Sequence, residues 1–199
     1  MSAPSPTSSP TAPRPDEVIM AGVHAFQERA GLFDRGAIAM LRRMSPRQGP
    51  WPGVFWSFIT RPDFAGWTEG RGAENAWAVL LAGMAEMAPL IHERGTGLGT
   101  ALRGPREGGG YSEPRLLRLL RADRPDAFAY EFAAATRWCA SHRRPFDWVQ
   151  TAPLVFGRMA GRLDADNAAR RIARDYFRPF GKGGSEPDTA TDLPEGIAP

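Results

Sequence analysis

The sequence predicts an all-α fold, a single-domain helical bundle, and three observations carry that reading. Apolar residues recur at three- and four-residue spacings through most of residues 16–180. No segment alternates apolar and polar positions with β-branched residues, as a half-buried strand would. Asp or Ser stands before several of the periodic segments, and Gly or Pro stands after them. With 199 residues the chain can build one domain with a real core, or at most two small ones. Its 42% hydrophobic content is that of a globular chain.

The elements follow in order. Residues 1–15, MSAPSPTSSPTAPRP, are too poor in apolar side chains to order themselves, and they carry no apolar run of the secretory kind. They are expected to be a disordered tail. Residues 16–30 place Val18, Ile19, Val23 and Phe26 on a helix that ends at Gly31. Asp34 is positioned to cap a second helix carrying Ile38, Leu41 and Met44 and stopping near Pro46. The segment WPGVFWSFITRP, residues 51–62, suits a short helix or a packed loop. Residues 73–93 form the strongest apolar helix, which Pro89 should kink or end. Residues 95–110 are glycine-rich and predict a connector with little structure.

Ser112 is expected to cap the next helix, with Glu113 and Pro114 in its first turn. Pro125 and Asp126 restart a helix to about His142. Asp147 should cap another through Met159, with Pro153 inside it, and Asp164 should cap DADNAARRIARDYF. Residues 181–199 set Glu186, Asp188, Asp192 and Glu195 against Lys182 and predict a disordered acidic tail. No internal repeat recurs at a fixed period.

Charge narrows the function. The net charge is +3 and the pI about 9.6, and of 25 basic residues only Lys182 is lysine. A GC-rich coding sequence favours arginine everywhere, so the position of each arginine matters more than the total. Residues 103–178 hold 15 arginines and 9 acids, an excess of six that suggests an anionic partner for this half.

Residues 112–125, SEPRLLRLLRADRP, repeat arginine every third position. At about 100° per residue, Leu116, Leu117, Leu119 and Leu120 fill one half of a wheel, and Arg115, Arg118, Arg121 and Arg124 fill the other. A solvated helix face usually mixes signs at i,i+4, whereas like charges at i,i+3 cost a few tenths of a kcal/mol unless an anion relieves them. The pattern therefore favours a face that holds an anion, about three turns long. Arg42 and Arg43 end the second helix, and Arg143 and Arg144 end the helix carrying Arg137. Arg170, Arg171 and Arg174 lie on the last helix. Each of these pairs also suits a helix C-terminus on dipole grounds.

Catalytic constellations fare worse. GTGLG, residues 95–99, lacks the spacing, preceding strand and lysine of a phosphate loop. His24, His92 and His142 are scattered. Cys139 and His142 can meet on one helical turn, but no third group orients them, and a small buried side chain is the better reading of Cys139. One cysteine permits neither an internal disulfide nor a multi-cysteine zinc site. No catalytic residue, cofactor or metal site is expected. No apolar run reaches the length of a membrane span, so a cytoplasmic location is the default.

Four segments in one order, GTGLGTAL (95–102), SEPRLLRLLRAD (112–123), PFDW (145–148) and AARRIARDYF (168–177), resemble the CasB family, the small subunit of the type I-E CRISPR surveillance complex, Cascade. The resemblance covers roughly residues 16–180 and rests on the order and spacing of the four. Gly97 stands where that family commonly has serine, and Pro114 precedes a single Arg115 where paired arginines are common.

The resemblance implies an all-α subunit without catalysis of its own. Two copies would pack head to tail beside the large and backbone subunits of the complex. They would steady the guide RNA and target DNA, and their basic face would hold the displaced non-target strand. By motif position, Arg115, Arg118, Arg121 and Arg124 match the family's basic helix, and Arg42 and Arg43 match its early basic residues. Arg137, Arg170 and Arg171 match it more loosely. The residues by themselves leave two alternatives open: a protein-interaction adaptor whose arginines meet acidic protein patches, and a helix-turn-helix regulator that reads duplex DNA.

Overall fold

The apolar helix predicted between residues 73 and 93 is the hub of the molecule. The computed structural model describes residues 13–30, 35–44, 51–105 and 109–180. Among these residues there are nine α-helices, one 3-10 turn and no strand. They are α1 (Pro15–Ala30), α2 (Arg35–Arg42), α3 (Gly53–Ile59), the turn Pro62–Phe64, α4 (Arg71–Met87), α5 (Leu98–Arg103), α6 (Glu113–Arg121), α7 (Pro125–Ser141), α8 (Trp148–Ala160) and α9 (Ala165–Phe177). Of the expected tails over residues 1–15 and 181–199, residues 1–12 and 181–199 lie outside the described residues, as do Asp34, Gly31 and Pro46 as boundaries of the first two helices. Residues 13–15 depart from the expectation: Pro15 opens α1, Arg14 pairs with Glu17, and the Pro13 carbonyl accepts from the Trp67 indole N–H.

α4 is apolar on almost every face because α2, α7 and α8 all pack on it. Trp77 is fully buried against Phe58, Phe64 and Phe156, and its indole N–H donates to the Trp67 carbonyl. The helix stops at Met87, so Pro89 lies beyond its end and does not kink it. α6 packs on α7, α1 on α8, and α9 on both α5 and α8.

Residues 95–110 depart from the sequence expectation. Instead of a loose connector they contain α5, whose Leu98, Ala101 and Leu102 are buried. The glycines that suggested a loop serve a close helix approach. A Cβ at Gly99 would run into the Ile172 carbonyl oxygen on α9. Only a hydrogen fits in that gap, so the backbones of α5 and α9 meet directly. Ser112 also departs from expectation. It occupies the N-cap position of α6, but its side chain accepts no bond from the helix. Its carbonyl does, from the Arg115 and Leu116 N–H groups.

Asp147 behaves as its sequence position predicts, and it does more. Its side chain accepts from the Val149 and Gln150 N–H groups at the start of α8. It also accepts from the Gly95 N–H at 2.9 Å and from Gln150 Nε2 at 3.1 Å. Its own N–H donates to the Thr96 carbonyl at 2.7 Å. One buried carboxylate thus fixes α8 to the chain entering α5. Trp148 beside it fills the space over Gly83 and donates its indole N–H to the Ile91 carbonyl.

Burial is the largest single influence on the Asp147 carboxyl and raises its pKa. The bonds from Gly95 and Gln150 outweigh it, so the group titrates below the ordinary aspartate value. A carboxyl depressed in the fold contributes stability that is complete above its unfolded pKa and lost as pH falls through its folded one. Asp147→Asn keeps the shape and loses the charge. It should lower stability at pH 7 by about 1–3 kcal/mol. In urea unfolding the gap to the parent should close below about pH 4. A gap of equal size at pH 7 and pH 3 would show that charge at Asp147 is not what joins these elements.

Candidate nucleic-acid interface

The amphipathic wheel drawn for residues 112–125 holds through α6 and fails at its last rung. Leu116, Leu119 and Leu120 are buried, Leu117 is half-buried, and Arg115, Arg118 and Arg121 are exposed. α6 is nine residues long and closes at Arg121, shorter than the three turns expected. Arg124 is not on it and instead occupies the N-cap position of α7, across a turn. Pro125 is the physical reason, since its ring disfavours helical backbone at the residue before it. The face is also less uniform than the spacing suggested. Arg118 Nε lies 3.0 Å from Glu131 Oε1 on α7.

The turn that removes Arg124 from the ladder delivers it to a groove. Arg42 from α2, Arg124 and Arg137 from α7 line one depression of about 660 Å³ beside Met44, Tyr130 and Ala133. Asp126 and Glu131 complete its wall, the latter paired with Arg118. The Arg42 Nε donates to the Ala85 carbonyl of α4 at 2.7 Å, which fixes the stem of that side chain. A second depression of about 650 Å³ lies between α6 and α7. Leu117, Arg118 and Arg121 line it, and it shares Ala127 and Glu131 with the first. Among the described residues, no carboxylate lies within ion-pair distance of Arg42, Arg115, Arg121, Arg124 or Arg137.

The remaining predicted positions lie elsewhere. Arg43 is exposed just past the end of α2. Arg170 and Arg171 are exposed on α9, which packs on α5 and α8 rather than beside the α2–α7 groove. The Arg171 Nη2 donates to the Gln150 carbonyl at 2.6 Å, a bond that ties α9 to α8.

Tyr130 went unnoticed in the sequence. It is 69% exposed, the most open of the large apolar side chains in the described residues, and it stands in the arginine-lined groove. The signal was present: Tyr130 is two positions from both Phe128 and Phe132, roughly 200° from each on a helix. Those two are fully buried, so Tyr130 must face out.

The Cys139 thiol is fully buried in α7, and burial pushes its pKa up to about 12. His142 is exposed and stacks on Trp138 with centroids 4.2 Å apart. The two do not form a nucleophile and base. Burial also lowers the His92 pKa, and its Nδ1 accepts from the Trp148 N–H, so the neutral ring is part of the packing around PFDW. The described residues contain no group of three or more His, Cys, Asp or Glu arranged to hold a metal ion. No helix among them is long and apolar enough to cross a membrane.

These features define an all-α protein whose exposed face is built from arginines on three elements. Residues 37–177 match the sequence model of a family described as CRISPR-associated protein Cse2. The chain therefore belongs to the CasB/Cse2 family, whose members are structural subunits of the CRISPR Cascade complex. The fold is similar to that in the crystal structure of CasB from Thermobifida fusca, with a TM-score of 0.59 at 20% identity over 81% of this chain and 94% of that one. No curated protein matches the chain.

The burial of Cys139 gives a direct check on the packing of α7. At pH 8 a thiol reagent should leave the native protein unmodified and react once urea unfolds it. Rapid modification of the native chain would show that α7 does not bury this face.

Proposed function

We propose that this chain is the small subunit of a type I-E complex and grips the displaced non-target DNA strand. Arg42, Arg124 and Arg137 do so in the α2–α7 groove, and Arg115, Arg118 and Arg121 continue the grip along α6. The observation that carries this reading is the convergence of Arg42 from α2 with Arg124 and Arg137 from the cap and body of α7 around one groove, which an exposed tyrosine also lines. Arginine forks hold phosphate oxygens without reading sequence, and an aromatic face accepts any unstacked base. R-loop formation is a nearly balanced exchange of duplexes, so modest contacts to the freed strand shift it. The large and backbone subunits, the guide RNA and a second copy of this chain are the partners this role requires. Arg43, Arg170 and Arg171 extend the basic surface, and the work is that of a binding subunit in the cytoplasm rather than an enzyme.

Salt titration of single-stranded DNA binding tests the arginines. Arg124→Ala with Arg137→Ala should weaken binding and reduce the slope of log K against log salt by about 0.7 for each lost phosphate contact. If affinity and slope both stay put while co-purification with other subunits survives nuclease and high salt, the arginines serve an adaptor surface instead.

Tyr130→Ala should weaken single-strand binding by about 1–3 kcal/mol while leaving the salt slope unchanged, and Tyr130→Phe should keep the affinity. Equal loss in both variants would assign the tyrosine a hydroxyl contact and not a stacking role.

A further inference from the structure

The last described residues, which precede the acidic segment 181–199, are tied to the chain between α5 and α6. The Tyr176 hydroxyl, in the last turn of α9, donates to the Tyr111 carbonyl, immediately before α6. Arg103 at the end of α5 donates to the Arg178 carbonyl at 2.8 Å, and its guanidinium lies 4.5 Å from the centre of the Phe180 ring. The chain is thus held at three successive points, the first next to the start of α6 and the other two at the end of α5.

From these observations we infer that residues 181–199 dock on α6 and the α6–α7 depression, where they compete with nucleic acid. The inference rests on the reading that these arginines hold an anion. Charge matches: Glu186, Asp188, Asp192 and Glu195 outnumber Lys182, while Arg115 and Arg121 are exposed without a paired carboxylate among the described residues. Glu113 at the start of α6 opposes docking there, so the contact belongs to the later turns. Length matches too. α6 spans about 13 Å, and an ideal coil of as many residues as 181–199 has a root-mean-square span of about 22–26 Å. Leu193 and Ile197 are the apolar residues available to sit on the half-buried Leu117.

The segment would act as a built-in competitor for phosphate. Weak backbone contacts made by a scattered nucleic acid would lose to the tethered carboxylates. A strand also held by the rest of the complex would displace them. A segment that covers the face two-thirds of the time lowers apparent strand affinity about three-fold.

The test uses the full chain with Thr191→Cys carrying a nitroxide, since buried Cys139 stays unlabelled. A control of equal length adds Glu186→Gln, Asp188→Asn, Asp192→Asn and Glu195→Gln. At low salt the acidic chain should broaden the amide signals of Arg118 and Arg121 more than the neutral control does, and 1 M salt should remove the difference. The neutral chain should bind single-stranded DNA about three-fold more tightly. Equal broadening in the two chains overturns the inference, even if affinities differ, because net charge alone then explains the affinity. Charge-dependent broadening with no DNA binding by either chain upholds the docking and instead overturns the strand-gripping role.

Discussion

The buried carboxylate of Asp147 is the contact on which the placement of the basic face depends. It accepts from the Gly95 N–H while the Asp147 backbone N–H donates to the Thr96 carbonyl, and the two bonds set where α5 begins. The Leu102 carbonyl on α5 then accepts from the Tyr111 N–H, which aims the chain into α6. Gly99 lets α9 lie directly on α5, and Tyr176 on α9 returns to Tyr111. Each joint is a hydrogen bond or a backbone contact with little slack. Buried polar groups of this kind are costly to leave unpaired, so the set holds or fails together.

Electrostatics on the surface follow a different rule. The Arg118–Glu131 pair is half exposed on the arginine side and contributes little to folding. Its effect is on charge density: it removes one cation from the middle of α6 and leaves Arg115 and Arg121 on either side. The α2–α7 groove keeps three arginines, and Arg42 is there with its stem fixed by the Ala85 carbonyl. A fixed guanidinium loses less entropy when it meets an anion than a free one. The guanidinium whose stem is fixed is therefore off the helix that first drew notice.

Local chemistry made much of this legible. Asp147 and Asp164 cap their helices as their positions predict, because a cap is an interaction between a side chain and the N–H groups two or three residues on. The leucine and arginine halves of α6 likewise follow from spacing alone. Residues 95–110 were misread because glycine signals two different things, a flexible turn and a place where backbones touch. Only Ile172, more than seventy positions away, says which applies at Gly99. Arg124 was misplaced for a smaller reason: the wheel was carried past the point where Pro125 breaks the helix.

The sequence by itself determined the all-α class, the amphipathic faces, most helix ends and the excess of arginine in the later half. Each depends on neighbours within about one or two helical turns. Which arginines share a surface was decided by tertiary structure alone. Arg42, Arg124 and Arg137 come together, and Arg170 and Arg171 stay apart, because α2 and α7 both pack on α4 whereas α9 packs on α5 and α8. Burial of apolar faces chooses those partners, and the charged side chains go where that packing leaves them.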